Sequence, residues 1–341
     1  MVRVAVDAMG GDYAPGVVIE GALEAVARFD VGVLLVGPGE DLRARLARRR
    51  FDASRVEVVA ASETIQMDES PAAAIRRKKD SSISVGIQCV KDGRADAFFS
   101  AGNTGAVVCG ATLKLGLLET IERPGIAIVL PNRTGVSLII DGGANIDPKP
   151  MHLLQYAIMG SAYFEDILGK ARPSVGLLNV GEEEVKGTDF VRETYQLLEQ
   201  SPVNFIGNVE GKHIFSGQCD VIVADGFVGN VTLKVSESIA EVLMQLLKDE
   251  LASSWRGRLA YRFGRPCFRN FKKKIDYSEY GGAPLLGVDG IVIIGHGRSS
   301  AKAVMNAIHV AKKEADRNIN QDILETTKRT FTHASWKIEK A

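Results

Sequence analysis

Short apolar runs and amphipathic stretches alternate along nearly the whole chain. Runs rich in Val, Ile, Leu and Ala begin at Val2, Val31, Val56, Ala95, Gly125, Gly135, Ser174, Val203, Asp220 and Gly290. Most are continuously apolar, the pattern of strands that helices cover on both faces. Segments with helical spacing follow most of them, as in PMHLLQYAIMGSAYFEDIL (150–168) and FVGNVTLKVSESIAEVLMQLLKDELA (227–252). This alternation predicts an α/β fold: a mostly parallel, doubly wound sheet in an α/β/α arrangement. GIAIVLPNRTGVSLIID (125–141) is the exception, because its two strands are joined through Pro131, Asn132, Arg133 and Thr134 and read as a hairpin. No repeat or low-complexity linker divides the chain, so 1–341 reads as a single α/β domain with cryptic subdomains.

Polar residues and glycines are not scattered through this pattern. Six strands end in similar text: DAMGGD (7–12), SAGNTGA (100–106), IDGGAN (140–145), LNVGEEEVKGT (178–188), ADGFVGN (224–230) and GHGRSS (295–300). In a parallel sheet such ends share one edge, where α/β proteins bind ligands. Glycine permits close backbone approach, and the N–H groups of a following helix favour an anion. Each loop alone reads equally well as a capped helix start, with Asn103 or Thr104 as cap and Asp141 or Asp225 as turn-former. Six on one edge favour a binding site. Lys186 is the cation best placed for it, in a loop shaped by Gly181 and Gly187, although a solvated pairing with Glu182 or Glu183 is the plain alternative. Of the five histidines only His296 sits in a glycine-rich strand end. No Walker loop, G-x-S-x-G elbow or persuasive Ser-His-Asp arrangement occurs.

Composition narrows the setting. With 341 residues, 45% hydrophobic and 25% charged, the chain has ordinary globular make-up. Lys plus Arg and Asp plus Glu both total 42, which argues against a general nucleic-acid binder. Cys89, Cys109, Cys219 and Cys267 form no C-x-x-C pair and read as free thiols in a reducing compartment. The chain opens on a strand with no signal peptide in front, and no apolar run approaches the roughly 18 residues that span a bilayer. A cytoplasmic location is expected, with peripheral membrane association left open by the basic segment described below.

The motifs VAVDAMGGDYAP, SAGNTGA, ERPGIAIVLP, GLLNVGEEEVKGT, NFIGNVEGKHI, DVIVADGFVGNVTLK, GGAPLLGVDGIVIIGHG and AVMNAI together closely resemble bacterial phosphate acyltransferase, the acyl-carrier-protein:phosphate acyltransferase of phospholipid synthesis. The resemblance covers Val2 to about Ile308, is less distinctive from Trp255 to Tyr277, and gains little past Asn318. It implies transfer of a fatty acyl group from an acyl carrier protein thioester to inorganic phosphate, giving acyl phosphate and free carrier protein. It further implies a homodimer, no cofactor and no metal, and a fold like that of isocitrate and isopropylmalate dehydrogenases. The acyl phosphate would pass to a membrane glycerol-3-phosphate acyltransferase. On this chemistry Ser100, Gly102, Asn103 and Thr104 are expected to hold phosphate, with Gly10 and Gly11 in the neighbouring loop. Lys186 balances its charge and stabilises the oxyanion or leaving thiolate. Asn145 and Asn230 orient phosphate or the thioester carbonyl, Asp225 orients Lys186 or an asparagine, and His296 is a further candidate for proton transfer. The rival readings are a transferase using acyl-coenzyme A, a metal-dependent hydroxy-acid dehydrogenase, for which no clear aspartate cluster exists, and a silent membrane scaffold, which has no need of six polar strand ends.

One segment stands apart. SSWRGRLAYRFGRPCFRNFKKKI (253–275) holds eight Arg or Lys, no acid, and interleaved Trp255, Tyr261, Phe263, Phe268 and Phe271. It follows a long helical stretch, and 240–277 together reads as a protruding helical arm. The Trp255–Lys274 stretch suits an anionic membrane surface. It equally suits an acidic carrier protein, or is simply a solvated hairpin at a dimer surface.

Overall fold

The computed structural model describes residues 1–275 and 279–333. In chain order the elements are β1 (Val2–Asp7), α1 (Gly16–Arg28), β2 (Val31–Gly37), α2 (Gly39–Leu46), β3 (Val56–Ala60), α3 (Pro71–Arg77), α4 (Ser82–Lys91), β4 (Ala97–Ser100) and α5 (Thr104–Lys114). Then follow β5 (Gly125–Pro131), β6 (Val136–Ile140), α6 (Pro150–Asp166), β7 (Ser174–Leu178), α7 (Asp189–Glu199), β8 (Asn204–Val209), α8 (Gly211–Ser216) and β9 (Val221–Val223). The chain ends through α9 (Gly226–Ser253), α10 (Trp255–Ile275), β10 (Ala283–Leu286), β11 (Ile291–Ile294), α11 (Ala301–Arg317) and α12 (Ile319–His333).

Among the described residues eleven strands form one sheet in the order β3-β2-β1-β4-β11-β10-β5-β6-β9-β7-β8. Continuous apolarity follows from its two covered faces. In β1, Val4 and Val6 pack against α1 and α11, while Ala5 faces the other way into the core under α4 and α5. Phe98 and Phe99 divide in the same manner. The core under α4 and α5 continues past Ile126 and Ile128 to Ile139, Ile222 and Val209, so apolar packing crosses the sheet without a break. A third cluster beneath α6, α7 and α12 covers the opposite face of β6, β7 and β9.

The expected hairpin is present, with β5 and β6 antiparallel and Asn132 N–H closing on Gly135 C=O. The middle of the sheet is the departure from the sequence reading. β10, four residues long and containing Pro284, lies between β11 and β5 and is antiparallel to both. Its antiparallel pairings, with that of the hairpin, reverse the sheet. β1, β2, β3, β4 and β11 run one way, and β6, β7, β8 and β9 run the other. The six polar strand ends therefore do not share a single edge.

Helices α9 and α10 build the arm. Helix α9 buries only Gly226 and Gly229, and α10, with Pro266 inside it, folds back along α9. Their junction is closed by Gly257 N–H donating to the Ser254 hydroxyl. The far end of the expected 240–277 arm, 276–277, lies outside the described residues. Among the described residues no helix is long and apolar enough to cross a membrane.

Candidate active site

The ends of β1, β4 and β11 form the first cluster. Asp7, at the base of the β1 loop, is 1% exposed and accepts hydrogen bonds from Ser100 Oγ (2.7 Å) and Met9 N–H (3.0 Å). Burial raises its carboxyl above the usual range, against the opposing pull of donors from Ser82, Ser100, Met9 and Gly10. The Ser100 hydroxyl also accepts from Gly102 N–H at 3.0 Å. Asn103 caps α5 by accepting from Ala106 N–H, and its Nδ2 donates to the carbonyls of Gln66, Met67 and Glu69. The polar groups of Ser100, Gly102 and Asn103, expected at the phosphate, here tie β4 to β1 and to the 66–69 loop. What the cluster still offers an anion is the first turn of α5, where the N–H groups of Thr104 and Gly105 have no intrahelical acceptor. Gly10 and Gly11 are also inward-turned. A Cβ on Gly10 would lie 2.7 Å from both the Asp7 carboxylate and Gly102 N. Gly11, at φ +98°, would place one 2.9 Å from Gly297 C=O. These glycines let three loops interlock.

His296, at the β11 end, accepts from Arg298 N–H through Nδ1, and its Nε2 lies 3.8 Å from a Glu237 carboxylate oxygen on α9. Burial pushes the imidazole below its ordinary range, partly offset by Glu237.

The ends of β6, β7 and β9 form the second cluster. Asp141 is fully buried and gathers four backbone N–H groups, from Ile126, Gly143, Ala144 and Asn145, at 2.7–3.0 Å. Asn145 donates through Nδ2 to Pro124 C=O (2.6 Å) and Tyr156 Oη (2.7 Å), and its carbonyl accepts from Gly226 N–H. Asp225 caps α9 by accepting from Val228 N–H at 2.9 Å. Both donors of the Asn145 amide are engaged inside the protein, and the Asp225 carboxylate caps α9. Gly229 lets α9 press against this loop, since a Cβ there would sit 1.9 Å from Asp141 C=O.

Two side chains remain available. Asn230 is exposed, its amide lies over Gly143, and it has no hydrogen-bond partner among the described residues. Lys186 is exposed, and its ammonium likewise has no partner there; Glu182, the pairing considered from sequence, binds Lys212 instead at 2.8 Å. The two clusters are spanned by α9. Asn230 lies at the second cluster and Glu237, which reaches His296, is seven residues on, about 10 Å along a helix at 1.5 Å per residue. The candidate site comprises Thr104 and His296 from the first cluster and Lys186 and Asn230 from the second, with α9 linking the two.

Comparisons with known proteins agree with this architecture. A family described as fatty acid synthesis protein matches residues 2–322. Proteins named phosphate acyltransferase are similar along the chain. The one from Dictyoglomus turgidum is 50% identical over 95% of this chain and 97% of its own. That from Pelotomaculum thermopropionicum is 48% identical over 94% of each. Among solved structures, a phosphotransacetylase from Streptococcus pyogenes shares the fold at TM-score 0.61 and 19% identity, covering 92% of this chain and 94% of that one. A 4-hydroxythreonine-4-phosphate dehydrogenase from Klebsiella pneumoniae does so at TM-score 0.52 and 13% identity, covering 92% and 98%. The chain is an acyltransferase and belongs to the phosphate acyltransferase family.

Proposed function

We propose that the protein moves a fatty acyl group from the thioester of acyl carrier protein to inorganic phosphate, releasing acyl phosphate and the carrier thiol. What carries this reading is that the Lys186 ammonium and the Asn230 amide have no partner among the described residues, the one in the loop after β7 and the other in the first turns of the helix after β9, two strands that pair side by side. Phosphate near neutral pH is largely dianionic, by analogy with phosphoesters, and needs no strong base to attack a thioester. One phosphate oxygen bonds to the carbonyl carbon. The carbon–sulfur bond then breaks as the tetrahedral intermediate collapses, and the phosphate hydroxyl proton ends on the departing sulfur. The protein's part is to hold the dianion in line and to donate to the developing oxyanion. Lys186 supplies charge, Asn230 an oriented N–H, and Thr104 with Gly105 backbone donors. His296, with its Nε2 3.8 Å from Glu237, is the candidate for returning a proton to sulfur.

The test is Lys186→Ala, with phosphate-dependent turnover of a fatty acyl carrier-protein thioester followed. A rise in phosphate KM or a fall in kcat of at least tenfold is expected. Unchanged values would remove Lys186 from the site. Running the same assay with acyl-coenzyme A decides the donor.

The partners in this reading are acyl carrier protein, a second copy of the chain, an anionic membrane surface reached through Trp255–Lys274, and a membrane glycerol-3-phosphate acyltransferase that consumes the product. The exposed apolar stripe of α9 supports the homodimer. A solution mass near the 36.7 kDa of one chain would refute it.

A further inference from the structure

Only two buried side-chain polar atoms among the described residues lack a hydrogen-bond partner, Thr120 Oγ1 and Asn208 Oδ1. Asn208 lies near the end of β8, is 6% exposed, and sits opposite Leu177 of β7, whose side chain belongs to an apolar cluster. Its Nδ2 donates to Glu183 C=O at 3.0 Å. That bond fixes which end of the amide is which, because only the nitrogen can donate to a carbonyl. The Oδ1 is thus left buried with nothing to accept from.

The carbonyl that Asn208 holds is the start of the turn bearing Lys186. Glu183 C=O also accepts from Lys186 N–H at 3.1 Å. The other end of that turn is held in the same way, since Asn179 Nδ2 donates to Lys186 C=O at 3.1 Å and its Oδ1 accepts from Val180 N–H at 2.8 Å. Two asparagine amides, from the ends of neighbouring strands, therefore grip the turn at Glu183 and at Lys186. Beyond it Gly187, at φ +88°, takes the chain into α7.

We propose that Asn208 and Asn179 are positioning residues that present the Lys186 ammonium to phosphate. This rests on the reading of Lys186 given above. A residue kept for stability alone would be either apolar at this depth or bonded at both ends of its amide, because a buried polar atom without a partner destabilises the fold. Leucine is close to asparagine in size and would carry no such penalty. Asn208 holds one loop carbonyl at the expense of an unmet acceptor, and the residue that this loop displays is an unpaired lysine.

A double-mutant cycle on the full-length enzyme tests this, with inorganic phosphate as the varied substrate and a fatty acyl thioester as donor. Asn208→Leu is expected to melt at or above the wild-type temperature yet to raise phosphate KM at least tenfold. In the Lys186→Ala background the same substitution is expected to change KM less than twofold, because the group it positions is gone. Asn179→Ala, at a half-buried position, runs through the same cycle and decides the matter if Asn208→Leu does not fold. Wild-type kinetics in the asparagine variants, or equal effects with and without Lys186, would overturn the positioning role. Wild-type kinetics in Lys186→Ala alone would instead overturn the site reading.

Discussion

Asp7 and Asp141 do similar work in opposite halves of the sheet. Each lies at the base of a glycine-rich loop, out of water, and collects donors from its surroundings. Ser100 is one of Asp7's donors, so its removal has a stability signature more than a kinetic one. Ser100→Ala leaves the Asp7 carboxyl and Gly102 N–H short of a partner, and a loss of about 1–3 kcal/mol is expected by urea unfolding. Phosphate KM of the folded enzyme should stay within twofold; a tenfold rise at unchanged stability would return Ser100 to the phosphate site. Residue types alone could not separate these roles. Ser, Asn and Asp at a strand end form the same text whether they bind a ligand or cap a helix, and here Asn103, Thr188, Asp225 and Ser300 all cap. Lys186 was legible because two glycines frame it. Asn208 was not, because NFIGNV reads as an ordinary strand and nothing in it marks a side chain that reaches into the next loop.

At the scale of elements, α9 and α10 differ from the rest. Val228, Val231, Val235, Ile239, Val242 and Leu246 recur at helical spacing and are all exposed. The other flank of α9 packs Leu233 on the core and reaches His296 and Arg298 through Glu237 and Glu241. Helix α10 adds Trp255, Leu259, Tyr261, Phe263 and Phe271, again exposed, among its basic residues. Such a hairpin is expected to co-sediment with vesicles containing anionic lipid and to be released by salt. Arg262→Glu with Arg265→Glu should abolish sedimentation while turnover of soluble substrate persists. Equal binding to neutral vesicles would rule out the electrostatic role of the basic residues, and binding to neither would rule out the membrane role. The arm was visible in composition alone. Strand β10 was not: four residues holding a proline, between GG and GVDG, carry too little periodicity to register, and proline seldom sits inside a sheet.

For the whole molecule, the joint between α6 and α11 carries a titratable group. Tyr163 donates to Glu314 Oε1 at 3.0 Å, and the neighbouring Lys313 ammonium donates to Ile167 C=O. Burial pushes the Glu314 carboxyl up to about 8, with Tyr163 and Lys313 pulling the other way. An unfolded glutamate titrates near 4.3. Between these values the native state holds one proton more than the unfolded state. Stability is therefore full below about pH 4.3 for this group and falls by up to about 1.4 kcal/mol per unit as pH rises toward 8. Glu314→Gln should flatten that slope in urea unfolding at pH 5, 6.5 and 8; parallel curves for the two proteins would exclude it. The α/β class, both covered faces and the hairpin followed from local pattern. Strand direction did not, because an apolar run reads the same in either sense, and the single-edge picture failed at β10 and β5.

That reversal has a consequence for how the chain is made. The strands that close the gap between β4 and β5 are residues 283–294, contributed late in synthesis. Until they leave the ribosome, β4 and β5 are open borders, each offering unpaired backbone groups to any strand that meets them. Each half of the sheet can begin to collapse earlier, but joining them must await a segment nearly two hundred residues downstream of β4, a slow and long-range closure. A nascent chain stalled before 283 would hold two unfinished sheets, so its exposure to wrong pairing ends only once residues 283–294 have emerged and paired.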